Sequence, residues 1–345
     1  MDTRIISNPS GSDLDLLAET LRSGELVAIP TETVYGLGAN GLDVEAMDKI
    51  YAAKGRPSDN PLILHVPDGE SIRPLVQNIS ATAQALIDAF WPGPLTITLP
   101  KSDLVPDRAT GGLSRVALRC PDHSICRDLL KRAGVPVAAP SANISGRPSP
   151  TTAQDVYHDM NGRIPYILDA GGSCTIGVES TVVEVHDDKV IILRPGGITQ
   201  SMLEDVVPTV IYDTALINES TKAKAPGMKY THYAPDASMY VVVGKPSDVV
   251  EAFKELSKGY KGPIGCLVSY ETHALIGMDE RFQCHCFGPY GGDALALGHD
   301  FYKSLLHFNA NHVTLILAEG VEPHGFGVAV MNRMEKASSH HVIYK

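Results

Sequence analysis

Lys54 and Arg56, separated by one glycine, place two cations between an amphipathic stretch and the proline-bounded turn P-S-D-N-P. The span opens with P-T-E-T-V-Y-G-L-G-A-N-G over residues 30–41 and closes on His65 inside the run L-I-L-H-V. A purely structural loop needs neither cation, so the cluster points to an anionic ligand. Three later segments add donors of the same kind. Ser114 and Arg115 follow the loop A-T-G-G, with Arg119 close behind. P-S-A-N-I-S-G over 140–146 offers hydroxyls, an amide and turn N–H groups. D-A-G-G-S-C-T-I-G-V-E-S-T over 169–181 is a glycine-rich loop, and such turns can expose N–H groups as an anion nest. Arg194 completes the set in R-P-G-G-I-T. No Ser-His-Asp order and no carboxylate pair stands out. Donors without a nucleophile suit nucleotidyl transfer, where positioning and charge stabilisation carry most of the rate.

Each feature also has a plainer explanation. Lys54 and Arg56 could satisfy carbonyls and dipole at a helix C-terminus. His65 could be a satisfied core histidine. Gly36, Gly38 and Gly41 spell G-x-G-x-x-G, but six residues from Pro30 to Tyr35 separate them from the preceding strand. The acid that would bind a ribose is also missing, since Asp59 lies between two prolines. A dinucleotide fold is therefore disfavoured, and no G-x-x-x-x-G-K-[ST] phosphate loop occurs.

The elements that must position these groups follow from periodicity. Helical spacing marks 14–23, 44–54 (capped by Asp43), 82–90, 124–133, 153–160 and 199–206. Short apolar strands are expected at 26–29, 62–66, 95–99, 116–119, 137–139, 166–169, 181–185 and 190–193. Strands and helices mix without strict alternation, which predicts an α/β domain with a mixed, twisted sheet over residues 1–210. Residues 211–237 break the pattern with two Ala-Pro steps and a Pro-Gly, the mark of a linker. Tyr230, His232 and Tyr233 are unusual in a passive tether and suggest an active-site lid. Over 238–345 strands and helices alternate cleanly, which predicts a small Rossmann-like parallel-sheet domain. The sequence Cys284-His285-Cys286 is expected on a strand rather than at a metal, since no second pair follows.

Composition narrows the function classes. At 345 residues two domains are expected. The formal charge of −11 and the lack of a long basic block argue against tight direct RNA binding. The apolar runs are too short for a bilayer span, and six scattered cysteines give no disulfide framework. A cytoplasmic location is expected.

Taken in order, P-T-E-T-V-Y-G-L-G, K-G-R-P-S-D-N-P-L-I-L-H, P-S-A-N-I-S-G, G-V-E-S-T-V-V and L-R-P-G resemble the YrdC-type threonylcarbamoyl-AMP synthases. P-G-M-K-Y-T-H-Y-A-P and the region beyond it resemble that family's longer, two-domain branch. The resemblance implies condensation of L-threonine, bicarbonate and ATP to threonylcarbamoyl-AMP and pyrophosphate, with Mg²⁺ accompanying ATP. The product would pass to a partner transferase that modifies tRNA. By the same resemblance, threonine falls against Thr33, His65, Arg119, Ala139 and Thr181. ATP falls against Lys54, Asn60, Ser114, Ser141, Asn143, Ser149, Arg194 and Tyr230. Lys54 and Arg56 are the groups expected to act on the phosphate; metal ligands are not assigned. Two other classes compete: an RNA-binding module, and a carbamoyltransferase, whose paired-cysteine zinc motifs are absent here.

Overall fold

The computed structural model describes residues 2–57, 60–216, 233–277, 279–292 and 294–345. The linker residues Tyr230 and His232, with Ser58 and Asp59 of the P-S-D-N-P turn, lie outside these described residues. Two compact units emerge: Met1–Ser145 with Ser149–Tyr230, and Gly146–Pro148 with Thr231–Lys345.

Among the described residues the first unit is built on eleven strands. They are β1 Arg4–Ser7, β2 Val27–Ile29, β3 Gly36–Asn40, β4 Ile63–His65, β5 Leu95–Pro100 and β6 Arg115–Arg119. The remainder are β7 Val137–Ala138, β8 Tyr166–Asp169, β9 Thr181–Val185, β10 Val190–Arg194 and β11 Val210–Tyr212. Their order is β1-β8-β2-β3-β7-β4-β6-β5-β9-β10-β11. Parallel pairs such as β4–β6 and β5–β9 alternate with antiparallel ones such as β5–β6 and β4–β7, so the sheet is mixed as its sequence predicts.

Periodicity did not reveal strand β3, nor the edge strands β1 and β11. The glycines of β3 answer to packing. A Cβ on Gly38 would lie 2.9 Å from Val137 Cγ1, and one on Gly36 would lie 3.1 Å from Ala139 Cβ. The G-x-G pattern therefore lets β3 sit between β2 and β7. The helix Val44–Lys54 follows, with the Asp43 carboxylate accepting from Glu45 N at 2.9 Å and Ala46 N at 3.3 Å. Gly55, at φ 62°, ends it in the left-handed region and turns the chain between the two cations. Ala46, Met47 and Ile50 from this helix join Leu64, Ile97, Leu118 and Val183 in the main core.

The second unit carries β12 Ser238–Val243, β13 Ile264–Ser269, β14 Phe282–Gly288, β15 Leu315–Glu319 and β16 Val342–Tyr344. Every pairing in the order β14-β13-β15-β12-β16 is parallel, giving the doubly wound sheet expected. Cys284 and Cys286 sit on β14, and all six cysteines of the chain are free. The helix Tyr270–Ile276 and the last strand escaped the periodicity, both being too short to declare a period. Within this unit Tyr233 is buried, its ring centroid 5.3 Å from that of Tyr302. Among the described residues no helix is long and apolar enough to cross a membrane.

Candidate active site

Strand β6 sets the site's floor. Its even residues Val116 and Leu118 point into the core, so Arg115, Ala117 and Arg119 face the other way. Register pairs His65 with Arg119 and Ile63 with Ala117, which puts His65 on that same face. Arg119 Nη1 donates to Thr33 Oγ1 at 2.9 Å, and its Nε reaches the Gly93 carbonyl at 3.4 Å. Arg119 Nη2 also lies 2.8 Å from Glu32 Oε2, with both side chains buried. That contact is close but misses hydrogen-bond angles, so both Glu32 oxygens keep acceptor capacity. One guanidinium thus ties together β6 and the P-T-E-T segment.

The other segments close around this core by main-chain bonds. Ala139 N donates to the Ile63 carbonyl at 2.9 Å, and Ala142 N to the Tyr35 carbonyl at 2.8 Å. The glycine-rich loop docks on the acidic segment: Ile176 N donates to Glu32 O at 2.8 Å and Gly177 N to Thr33 O at 3.1 Å. Lys54 is buried, and its Nζ donates to the carbonyls of Ser141 at 2.5 Å and Asn143 at 2.6 Å. The helix-end lysine therefore does satisfy carbonyls, but those of the P-S-A-N loop rather than its own helix. Arg56 Nη2 reaches the Pro61 carbonyl at 3.4 Å.

Around the other flank, Arg194 Nη2 donates to Ser180 O at 2.9 Å and Ser180 Oγ at 3.1 Å, and Ser180 Oγ meets Thr96 Oγ1 at 2.8 Å. Ser149 Oγ donates to Glu179 Oε1 at 2.6 Å. Gly196 lies flat on this strand start: a Cβ there would fall 2.2 Å from Thr181 N. That close approach is what the glycine of L-R-P-G supplies.

Thr181 itself is turned differently. It pairs with Leu95 on the side that carries Ile97 and Val183, and its hydroxyl donates to Ile198 O at 2.6 Å while accepting from Ile198 N at 2.9 Å. The hydroxyl on the site face at this point is that of Ser180. Ser114 is exposed and lines a cavity of about 160 Å³ with Pro61, Leu62, Arg115 and Ala117. Asn60 precedes that cavity wall. It is buried, yet neither its Oδ1 nor its Nδ2 has a partner among the described residues. A buried amide with both ends unmatched is costly, and a ligand is the natural way to satisfy it.

Burial sets the charges. Desolvation pushes His65 down to about 3, with the nearby Arg119 adding to the effect and backbone contacts to Ile63 and Val137 opposing it. His65 is therefore neutral at physiological pH. Burial and then Arg56 push Lys54 well below the ordinary lysine range, while Asp159 and Glu179 pull it back. Burial pushes the Cys174 thiol, in the glycine-rich loop, up to about 12, so it stays protonated and is no nucleophile. The arrangement can hold a small zwitterion beside Arg119 and a polyphosphate along the cationic flanks. It has no group placed to form a covalent intermediate among the described residues.

Sequence reasoning brought together Thr33, His65, Arg119, Ala139, Ser141, Asn143 and Lys54, and the structure links these through the bonds above. It missed Glu32, Glu179 and Ser180. Their signal was an acid or hydroxyl inside an otherwise apolar or small-residue motif, which spacing alone does not single out.

A profile of the Sua5/YciO/YrdC family, described as telomere recombination, matches residues 19–196. A second, described as the threonylcarbamoyl-AMP synthase C-terminal domain, matches residues 198–339. The chain is 46% identical to the threonylcarbamoyl-AMP synthase of Pyrococcus abyssi over 330 residues, covering 95% of this chain and 94% of that relative. It is 44% identical to the Bacillus subtilis protein of the same name over 327 residues, covering 94% and 93%. Among solved structures, P. abyssi Sua5 complexed with L-threonine matches with a TM-score of 0.90 at 40% identity, covering 100% of both chains.

Proposed function

The chain belongs to the Sua5/YciO/YrdC family in its two-domain form, and from that premise we propose that it is an L-threonylcarbamoyladenylate synthase. It condenses L-threonine, bicarbonate and ATP to threonylcarbamoyl-AMP and pyrophosphate, with water lost as the amine and bicarbonate form the carbamate. The observation that carries this reading is the Arg119 node. A buried cation braced by Glu32 shares a bond with the Thr33 hydroxyl beside a neutral imidazole. A small amino acid with a carboxylate and a hydroxyl needs that set of partners.

Threonine lies against Thr33, His65, Arg119 and Ala139, with Thr181 fixing the adjoining loop through Ile198. Its amine must be neutral to react with bicarbonate or carbon dioxide, and a water-poor pocket favours the neutral form. A carbamate oxygen then bonds to the α-phosphorus as the bond to pyrophosphate breaks. Charge grows on the departing phosphates, where Arg56 and Arg194 stabilise it and Lys54 holds Ser141 and Asn143 in place. Asn60, Ser114 and Ser149 complete the ATP side. Mg²⁺ arrives with the triphosphate, the usual mode for an ion that keeps much of its water. Among the described residues no group of three or more His, Cys, Asp or Glu is set to hold a metal.

Catalysis is assigned to residues 1–210, with 211–237 as connection and 238–345 as a separate domain. The product goes to a transferase acting on tRNA in the cytoplasm, and direct tRNA binding by this acidic chain is weak. Mass spectrometry of the reaction run with ¹³C-bicarbonate tests the assignment. A threonine- and ATP-dependent product carrying the label supports it. An unlabelled adenylate, or none, refutes it.

A further inference from the structure

The second unit has a cavity of its own, of about 450 Å³, at the carboxyl ends of its strands. Its position follows from topology. The chain leaves β12 and β13 through the helices Pro246–Leu256 and Tyr270–Ile276, moving towards β14. It leaves β14 and β15 through Ala294–Ala310 and Gly327–Ala337, moving towards β16. Right-handed crossovers put these two pairs of helices on opposite faces. A crevice therefore opens beyond β15 and its neighbours, where open α/β sheets take their ligands. Gly244 just past β12 and the segment from Glu319 to Glu322 at the end of β15 line it.

The lining chemistry selects the ligand. His324 is the one basic side chain among the described lining residues, and neither lysine nor arginine is there, so a phosphate would find no permanent cation. Two carboxylates are present instead. Glu319 is buried; its oxygens accept from Ser269 N at 2.7 Å and Ser269 Oγ at 3.0 Å, and the Thr272 side chain bonds to it as well. A carboxylate accepts about four bonds, so Glu319 retains capacity. Glu322 is exposed at the rim. Phe287, Tyr290 and Phe326 add aromatic faces. Spare acceptors, flat walls and no lysine or arginine call for a ring-bearing ligand rich in hydroxyl donors.

We propose that this cavity binds an uncharged nucleoside, with ribose hydroxyls donating to Glu319 and Glu322 and the base stacking on Tyr290 or Phe326. It is distinct from the ATP site, and it does not depend on the activity assigned to the first unit.

Photolabelling of the full chain with 8-azidoadenosine, mapped by peptide mass spectrometry, tests this. Label is expected within residues 282–294 and 315–327. Tyr290→Ala and Glu322→Gln alter exposed side chains and should each lower it about fivefold or more, the worth of one stacking or hydrogen-bonding contact. Label in the first unit should not change. 8-Azido-AMP should label the second unit about fivefold less. Absence of label there, indifference to both substitutions, or equal labelling by the phosphorylated probe would each overturn the proposal.

Discussion

Arg119 and Glu32 form a buried ion pair, Nη2 to Oε2 at 2.8 Å, and the same guanidinium holds the Thr33 hydroxyl at 2.9 Å. The pair joins strand β6 to the segment that also receives the glycine-rich loop, so its loss should disturb three segments at once. Removing one partner of a buried pair typically costs about 3–5 kcal/mol, because the other charge is stranded. Glu32→Ala should therefore destabilise the first unit by about 3 kcal/mol in urea unfolding and weaken threonine binding in calorimetry. Arg119→Lys should keep the charge but lose the fork that reaches both partners, and it should bind threonine about tenfold more weakly. Unchanged stability and affinity in both variants would remove the node from the account.

Lys54 and Arg56 should part company when each is replaced by alanine. Lys54 Nζ ties down two carbonyls of the P-S-A-N loop, so Lys54→Ala should lower both turnover and stability. Arg56 is half-buried, and its Nη2 reaches the Pro61 carbonyl at 3.4 Å. Arg56→Ala should lower turnover about tenfold or more, the effect of a cation on developing phosphate charge, with a small change in Tm. Steady-state kinetics beside thermal unfolding read both quantities.

Asn60 offers the opposite trade. Its amide is buried without a partner among the described residues, so removing it relieves a cost instead of breaking a bond. Asn60→Ala should leave the Tm unchanged or raise it, while the KM for ATP rises about tenfold, as for one lost bond to a charged ligand. A clear drop in stability with normal ATP binding would make Asn60 structural.

His65 gives the fold a pH signature. Its folded pKa of about 3 lies below the ordinary 6.5, so between those values the unfolded chain holds a proton that the folded chain does not. Stability from this group is present above about pH 6.5 and is lost as pH falls, by up to about 1.4 kcal/mol per unit. Urea unfolding from pH 6 to 4 should show a steeper loss for the native chain than for His65→Asn. Parallel slopes would contradict the burial of a neutral ring.

How much of this was legible in advance depended on period length. The helix Val44–Lys54, with its Asp43 cap, and the long alternation after β12 announce themselves through repeated apolar spacing. Strand β3 did not, because Gly36 and Gly38 earn their places by contacts with Ala139 and Val137, which lie far away in sequence. Resemblance placed Thr33, His65, Arg119 and Lys54 at the site. It did not show that Lys54 points at carbonyls, that Thr181 turns its hydroxyl to Ile198, or that Glu32 braces Arg119. Those are side-chain directions, fixed by register and by partners that spacing cannot see.

The central claim is that the chain activates a threonine carbamate with ATP, and pyrophosphate release measures it most directly. Release should require ATP, L-threonine and bicarbonate together, and should fall when serine replaces threonine, since a missing methyl costs about 1–3 kcal/mol of pocket contact. Equal release without any amino acid, or none with all three substrates present, would contradict it.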